Sequence, residues 1–122
     1  MIHKVALLVV RDGALLLCRK RGSETWILPG GKLEPGETQE QCLAREIQEE
    51  LNCGCEAEYL KTIDDLTTNG TPIRIDLYRG ALTGEAVASG EIEELWWWKP
   101  QMEKARLAPS LQNQILDLVF SQ

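Results

Sequence analysis

The stretch Gly31-Lys32-Leu33-Glu34-Pro35-Gly36-Glu37-Thr38-Gln39-Glu40-Gln41-Cys42-Leu43-Ala44-Arg45-Glu46-Ile47-Gln48-Glu49-Glu50-Leu51-Asn52-Cys53 passes from a glycine- and proline-bearing loop into a helix. Thr38 stands where an N-cap accepts a backbone N–H, and Gln41, three residues on, completes a capping box. Leu43, Ile47 and Leu51 recur every four residues and mark one apolar stripe, with Ala44 at its edge. Glu46, Glu49 and Glu50 fall within an arc of about 100° that meets the stripe on the Glu50 side, so three carboxylates face one way beside a buried surface. Asn52 follows the last apolar residue, and asparagine is accepted in a left-handed C-terminal cap.

Upstream, Val5 to Val10 and Ala14 to Cys18 are apolar, strand-like runs joined through Arg11-Asp12-Gly13, and Asp-Gly favours a hairpin turn. Trp26 to Leu28 is a short strand that stops at Pro29-Gly30-Gly31. Downstream, Glu56 to Ile63 alternates unevenly, Thr71 to Tyr78 alternates cleanly through Ile73, Ile75 and Leu77, and Asn69-Gly70 turns the chain between them. Ala81 to Gly90 is a loop or weak strand, and Leu95 to Lys99 is an aromatic strand ended by Pro100. Pro109-Ser110 opens a last helix with Leu111, Ile115, Leu118 and Val119 on one face. This order predicts an α/β fold, a mixed β-sheet covered by helices on both faces.

With 122 residues, 43% apolar and 26% charged, the chain is expected to form one domain over residues 1–122 whose core needs no disulfide or structural metal. No run approaches the roughly 18 apolar residues of a membrane span, and Met1 to Val5 does not open a secretory signal, so a cytoplasmic protein without a membrane partner is expected. Thirteen Lys and Arg against nineteen Asp and Glu give a net charge of -6, which argues against nucleic acid as a partner. Cys18, Cys42, Cys53 and Cys55 form no Cys-x-x-Cys pair, and with His3 the single histidine they read as reduced thiols rather than zinc ligands.

Clustered carboxylates are costly to hold together unless a cation neutralises them, and hard oxygen ligands suit Mg²⁺ or Mn²⁺. The spacing of Glu46, Glu49 and Glu50 therefore points to metal-assisted attack of water on a phosphoanhydride. The competing reading is a solvated helix face, because Glu-rich helices are common.

The same segment resembles the Nudix box, Gly-x5-Glu-x7-Arg-Glu-U-x-Glu-Glu-x-Gly-U with U a bulky apolar residue. Gly31, Glu37, Arg45, Glu46, Ile47, Glu49 and Glu50 match in register, behind the lead-in Trp26-Ile27-Leu28-Pro29-Gly30-Gly31. Asn52 stands in place of the glycine and Cys53 in place of the last apolar residue. The resemblance implies a Nudix-like α/β/α sandwich. It also implies a hydrolase that cleaves a nucleoside diphosphate linked to another moiety with Mg²⁺ or Mn²⁺.

On that resemblance Glu46, Glu49 and Glu50 would hold the cations, with a backbone carbonyl of Gly30 or Gly31 as a further ligand. Glu37 and Arg45 would brace loop against helix, although Arg45 is also spaced for an i,i+4 pair with Glu49. Glu91 is expected as an additional ligand or general base, ahead of Glu93 and Glu94. Arg19, Arg21 and Lys32 are expected along the phosphate path. Trp96 and Trp98 share one strand face and Trp97 the other, so one side is core and the other is free to stack on a base, and Trp96 and Trp98 are taken as the substrate-binding pair. The expected substrate is a (deoxy)nucleoside triphosphate giving monophosphate and pyrophosphate. ADP-ribose, nucleotide sugars, dinucleoside polyphosphates and a non-catalytic nucleotide sensor remain as alternatives. Relatives commonly form homodimers, and no interface is legible.

Overall fold

A computed structural model describes residues 1–121 of the protein. Its β-structure is split into two four-stranded sheets. The first contains β1 (Ile2–Leu8), β5 (Gly30–Lys32), β6 (Cys55–Leu66) and β7 (Pro72–Leu82) in the order β5-β1-β7-β6. Here β1 and β7 are parallel and the other pairs antiparallel. In the second, β3 (Ala14–Lys20) pairs antiparallel with β2 (Val10–Arg11), β4 (Trp26–Ile27) and β8 (Ile92–Trp98). The run expected as one strand over Val5 to Val10 thus serves both sheets. It changes sheet at Val9, whose carbonyl accepts the Leu16 N–H at 3.0 Å. The hairpin that follows turns through Asp12 and Gly13, both at positive φ, as Asp-Gly predicts.

The uneven alternation of the Glu56 segment has a local cause. Tyr59 pairs with Tyr78 and Lys61 with Leu77, so Leu60 is an extra residue in a β-bulge that shifts the alternation by one. A second irregularity lies in β8, where Arg19 pairs with Glu94 and Lys20 with Ile92, skipping Glu93.

Helix α1 (Gln39–Leu51) starts at the predicted capping box and ends at Asn52, which is left-handed at φ 56°. It buries Leu43, Ile47 and Leu51 against Val5, Leu7, Val9 and Leu16 on one side of the β-layer. The alternate residues Ala6, Leu8, Leu15 and Leu17 face the other side. There they pack with Trp98 and with Leu111, Ile115 and Leu116 of the C-terminal helix. Two helices on opposite faces of mixed β-structure make the expected α/β/α sandwich.

The C-terminal helix departs from the 3.6-residue reading. It opens with a π-helical turn over Leu111–Ile115, in which the Leu116 N–H reaches the Leu111 carbonyl, and continues as α2 (Leu116–Phe120). The wider turn moves the apolar face by about one residue. Leu116 is buried at 7% exposure while Leu118, expected inside, is 39% exposed. Leu116→Ala should therefore cost at least about 2 kcal/mol in urea unfolding. Leu118→Ala should cost about 1 kcal/mol or less, and the reverse order would restore the unbroken α-helical register.

Candidate active site

Arg45 organises the site. Its Nε and Nη2 donate to the two oxygens of Glu37 at 2.6 and 3.0 Å, Nη2 reaches the Lys32 carbonyl at 3.1 Å, and Nη1 lies 3.2 Å from both Glu46 and Glu49. One guanidinium thus joins the loop to three carboxylates of its own segment. The bracing pair with Glu37 and the i,i+4 pair with Glu49 coexist. The Glu37 carboxyl is held down to about 2, by the Arg45 hydrogen bonds first and then by the Glu34 backbone N–H. Arg45 is correspondingly pushed up.

Glu50 is placed differently. It is 5% exposed, and its Oε1 accepts the Gly30 N–H at 2.9 Å. Burial pushes its carboxyl up to about 7 despite that hydrogen bond, and the neighbouring Glu46 charge adds to the rise. Glu46 is also raised, chiefly by burial. The glycines are demanded by this packing. A Cβ on Gly31 would fall 2.1 Å from Glu46 Oε2, and one on Gly30, which sits at φ 147°, would fall 2.0 Å from the Val5 carbonyl oxygen.

A cleft of about 500 Å³ opens beside this cluster. Gly30, Gly31, Lys32, Arg45, Glu46 and Glu91 line it at one end. Ile27, Leu28, Ile73, Ile75, Leu111 and Ile115 supply apolar wall elsewhere. Glu37, Glu49 and Glu50 lie outside that lining; Arg45 ties Glu37 and the exposed Glu49 to it, and Glu50 reaches it through the Gly30 N–H.

Other sequence-derived candidates are placed elsewhere. Arg19 is engaged with Glu94 at 2.6 Å and the Ser23 carbonyl at 2.9 Å, in a separate depression with Trp26 and Arg106. Arg21 pairs with Glu93 at 3.6 Å and lines neither cavity. Trp96 packs on Trp26 with ring centroids 5.1 Å apart. Trp98 is 1% exposed, and its Nε1 donates to the Glu103 carbonyl at 2.8 Å. A stacking role for Trp98 is therefore corrected, because its strand face is the core between β3 and the C-terminal helix. Of the aromatic run, Trp97 carries a cation above its ring, with Arg11 Cζ 5.0 Å from the centroid.

Sequence reading missed two cleft residues, Lys4 and Lys20. The signal for Lys4 was available: it is the charged member of the face Ile2, Lys4, Ala6, Leu8 on β1. For Lys20, strand alternation sets it opposite Arg19 and Arg21, the two cations that drew attention.

Among the described residues no three His, Cys, Asp or Glu side chains converge into a ligand cage. The donor chemistry nevertheless suits a hard divalent cation. Glu46, Glu49 and Glu50 offer only carboxylate oxygens, and the buried Glu50 carboxyl is energetically unfavourable as an anion until a cation lies near it. Of the two backbone carbonyls considered, that of Gly31 accepts the Cys42 thiol at 3.6 Å, which leaves Gly30 as the better candidate.

The chain belongs to the NUDIX domain family, whose model matches residues 1–118. It is therefore a Nudix hydrolase, an enzyme of the class that opens phosphorus-containing anhydrides. A MutT-like protein of Streptomyces ambofaciens is 35% identical over 119 residues, 95% of this chain and 77% of that one. The CTP pyrophosphohydrolase of Escherichia coli (strain K12) is 44% identical over 55 residues, covering 42% of this chain and 41% of that one. The crystal structure of a MutT NUDIX hydrolase from Burkholderia pseudomallei is 29% identical. It matches with a TM-score of 0.77 over 91% of this chain and 92% of that one.

The raised Glu50 pKa has a consequence for stability. Between the unfolded value of about 4.3 and the folded value of about 7, the native state binds the extra proton, so stability of the metal-free protein falls as pH rises through that window. Glu50→Gln keeps an acceptor for Gly30 and removes the charge. In EDTA at pH 8 it should be more stable than the parent by on the order of 1–3 kcal/mol, and about equal at pH 4.5. Equal stability at pH 8 would show that Glu50 is already relieved of its burial cost.

Proposed function

We propose that the protein hydrolyses a (deoxy)nucleoside triphosphate to the monophosphate and pyrophosphate, using Mg²⁺ or Mn²⁺ held by Glu46, Glu49 and Glu50 with the Gly30 carbonyl. The observation that carries this reading is the cleft in which the Glu46 carboxylate and Gly31 meet an apolar wall of Ile27, Leu28, Ile73 and Ile75. A nucleotide needs both kinds of surface, a charged end for phosphate and an apolar slot for the base. Similarity to a CTP pyrophosphohydrolase supports the same substrate class.

When bound, a divalent cation supplies charge neutralisation at the phosphoryl oxygens and a lowered pKa for attacking water. The chain's own residues do the rest. Arg45 holds Glu46 and Glu49 on one side and Glu37 on the other, so loop and helix keep a common frame. Gly31, lacking a side chain, lets the Glu46 carboxylate lie against the backbone. Glu91 faces the cleft from the loop before β8 and acts as general base or additional ligand. The apolar wall excludes water from the base end, where hydrogen bonding to solvent would compete.

The test is product analysis over unmodified and oxidised (d)NTPs, ADP-ribose, nucleotide sugars and dinucleoside polyphosphates, with Mg²⁺, Mn²⁺ or EDTA. Monophosphate and pyrophosphate from a triphosphate, with activity abolished by EDTA, is expected. Glu49→Gln should lower kcat by on the order of 100-fold or more, and Glu37→Gln by about 10- to 100-fold through lost positioning. Faster turnover of ADP-ribose or a nucleotide sugar would reassign the substrate, and tight nucleotide binding without turnover would make the protein a sensor.

A further inference from the structure

Lys4 projects from the middle of the parallel-paired strand β1 into the cleft, between Ile2 and Ala6 on its own face and opposite Ile75 on β7. It is a half-buried ammonium with no hydrogen-bond or ion-pair partner among the described residues, unlike Arg19, Arg21, Arg45, Arg74 and Arg106, which are all paired. Lys20, at the end of β3, lines the same cleft and is likewise unpaired. Glu46 and Glu50 are near enough to act on these ammonium groups through space but form no ion pair with them, so their hydrogen-bonding capacity on a partly apolar wall stays open to an anion in the cleft. The Lys4 ammonium is driven down first by burial and then by the charge of Lys20, and the carboxylates of Glu50 and Glu46 offset only part of that.

We propose that Lys4 and Lys20 form a phosphate-binding subsite for the nucleotide's polyphosphate chain, on the cleft wall facing the carboxylates of α1. The proposal rests on the nucleotide reading above and adds its electrostatic counterpart. The backbone of Lys4 is paired with that of Lys32 on β5, and Gly31 follows at Val5, so the Lys4 ammonium stands within the section of cleft that Glu46 borders. A phosphate chain lying there meets carboxylates on one side and lysines on the other. The carboxylates need cations to approach it, whereas the lysines bind its non-bridging oxygens directly through charge-assisted hydrogen bonds. Of the cations suggested by sequence, Arg19 and Arg21 are already engaged with Glu94 and Glu93, whereas Lys32 lines the cleft beside Lys4 and Lys20, so the charge available to substrate comes from these lysines.

The direct test is isothermal titration of the whole protein with tripolyphosphate, using Lys4→Met, Lys20→Met and, as a control for net charge, Lys61→Met on the exposed strand β6. Lys4→Met and Lys20→Met should each weaken tripolyphosphate by about tenfold or more, the worth of one charge-assisted contact. Lys61→Met should change it by less than about twofold, since a distant exposed charge is screened. In turnover assays the two cleft variants should raise KM for a triphosphate while affinity for the uncharged nucleoside stays level. A purely structural Lys4 would instead lose melting temperature on substitution, whereas removal of an unpaired ammonium should leave it equal or higher. Unchanged tripolyphosphate affinity in both folded variants overturns the subsite. If the variants fail to fold, acylation of lysines in the parent decides: protection of Lys4 by tripolyphosphate supports it, and no protection overturns it. Failure of the parent to hydrolyse any nucleotide would count against the substrate reading alone, because tripolyphosphate binding is read without turnover.

Discussion

The guanidinium of Arg45 is the point on which the site depends. A loop containing three glycines and a proline has little packing of its own, and a helix displaying Glu46, Glu49 and Glu50 repels itself. Arg45 answers both problems with a planar fork of donors, two of which grip Glu37 while others reach Lys32, Glu46 and Glu49. A lysine offers no such fork. Its single ammonium would satisfy one carboxylate and release either the loop or the helix.

Around that hub the carboxylates divide by burial. Glu49 remains in solvent, Glu46 is half covered by Gly31, and Glu50 lies beneath the loop on the Gly30 N–H. The order follows from helix phase, since Glu50 is the member of the trio next to the apolar stripe. It also sets up a gradient in which the deepest carboxyl is the hardest to ionise. A site of this kind stores unfavourable electrostatics in the free protein, and a cation relieves it. The wall across the cleft carries the opposite imbalance in Lys4 and Lys20.

Away from the site, a buried polar group anchors α1 to the first sheet. Asp76 of β7, 4% exposed, accepts from Thr62 of β6 at 2.5 Å and from Gln39 at the start of α1 at 2.9 Å, and it meets His3 of β1. Tyr78 donates to the same Gln39 at 2.9 Å. Three strands and a helix N-terminus therefore share one network, which holds the helix in register with the loop that Arg45 ties down.

Much of this was legible from local chemistry. The capping box at Thr38 and Gln41, the stripe of Leu43, Ile47 and Leu51, the cap at Asn52 and the Asp12-Gly13 turn all depend on neighbours within four residues, and sequence reports such neighbours directly. The box spacing also placed Glu37, Arg45, Glu46 and Glu50 on one segment, and helix phase ordered their burial. Tertiary structure decided what depends on distant partners. The β-bulge at Leu60 is visible only against Tyr78 and Leu77, and the π-helical turn that buries Leu116 instead of Leu118 answers to the core it meets. Trp98 became core, and Arg19 became engaged with Glu94, because β3 pairs with β8 across more than seventy residues of chain. Lys4 looked like an ordinary strand lysine until the parallel pairing of β1 with β7 set it on a cleft wall with no ion-pair partner among the described residues. Periodicity assigns a side chain to a face; only the assembled sheets determine what that face meets.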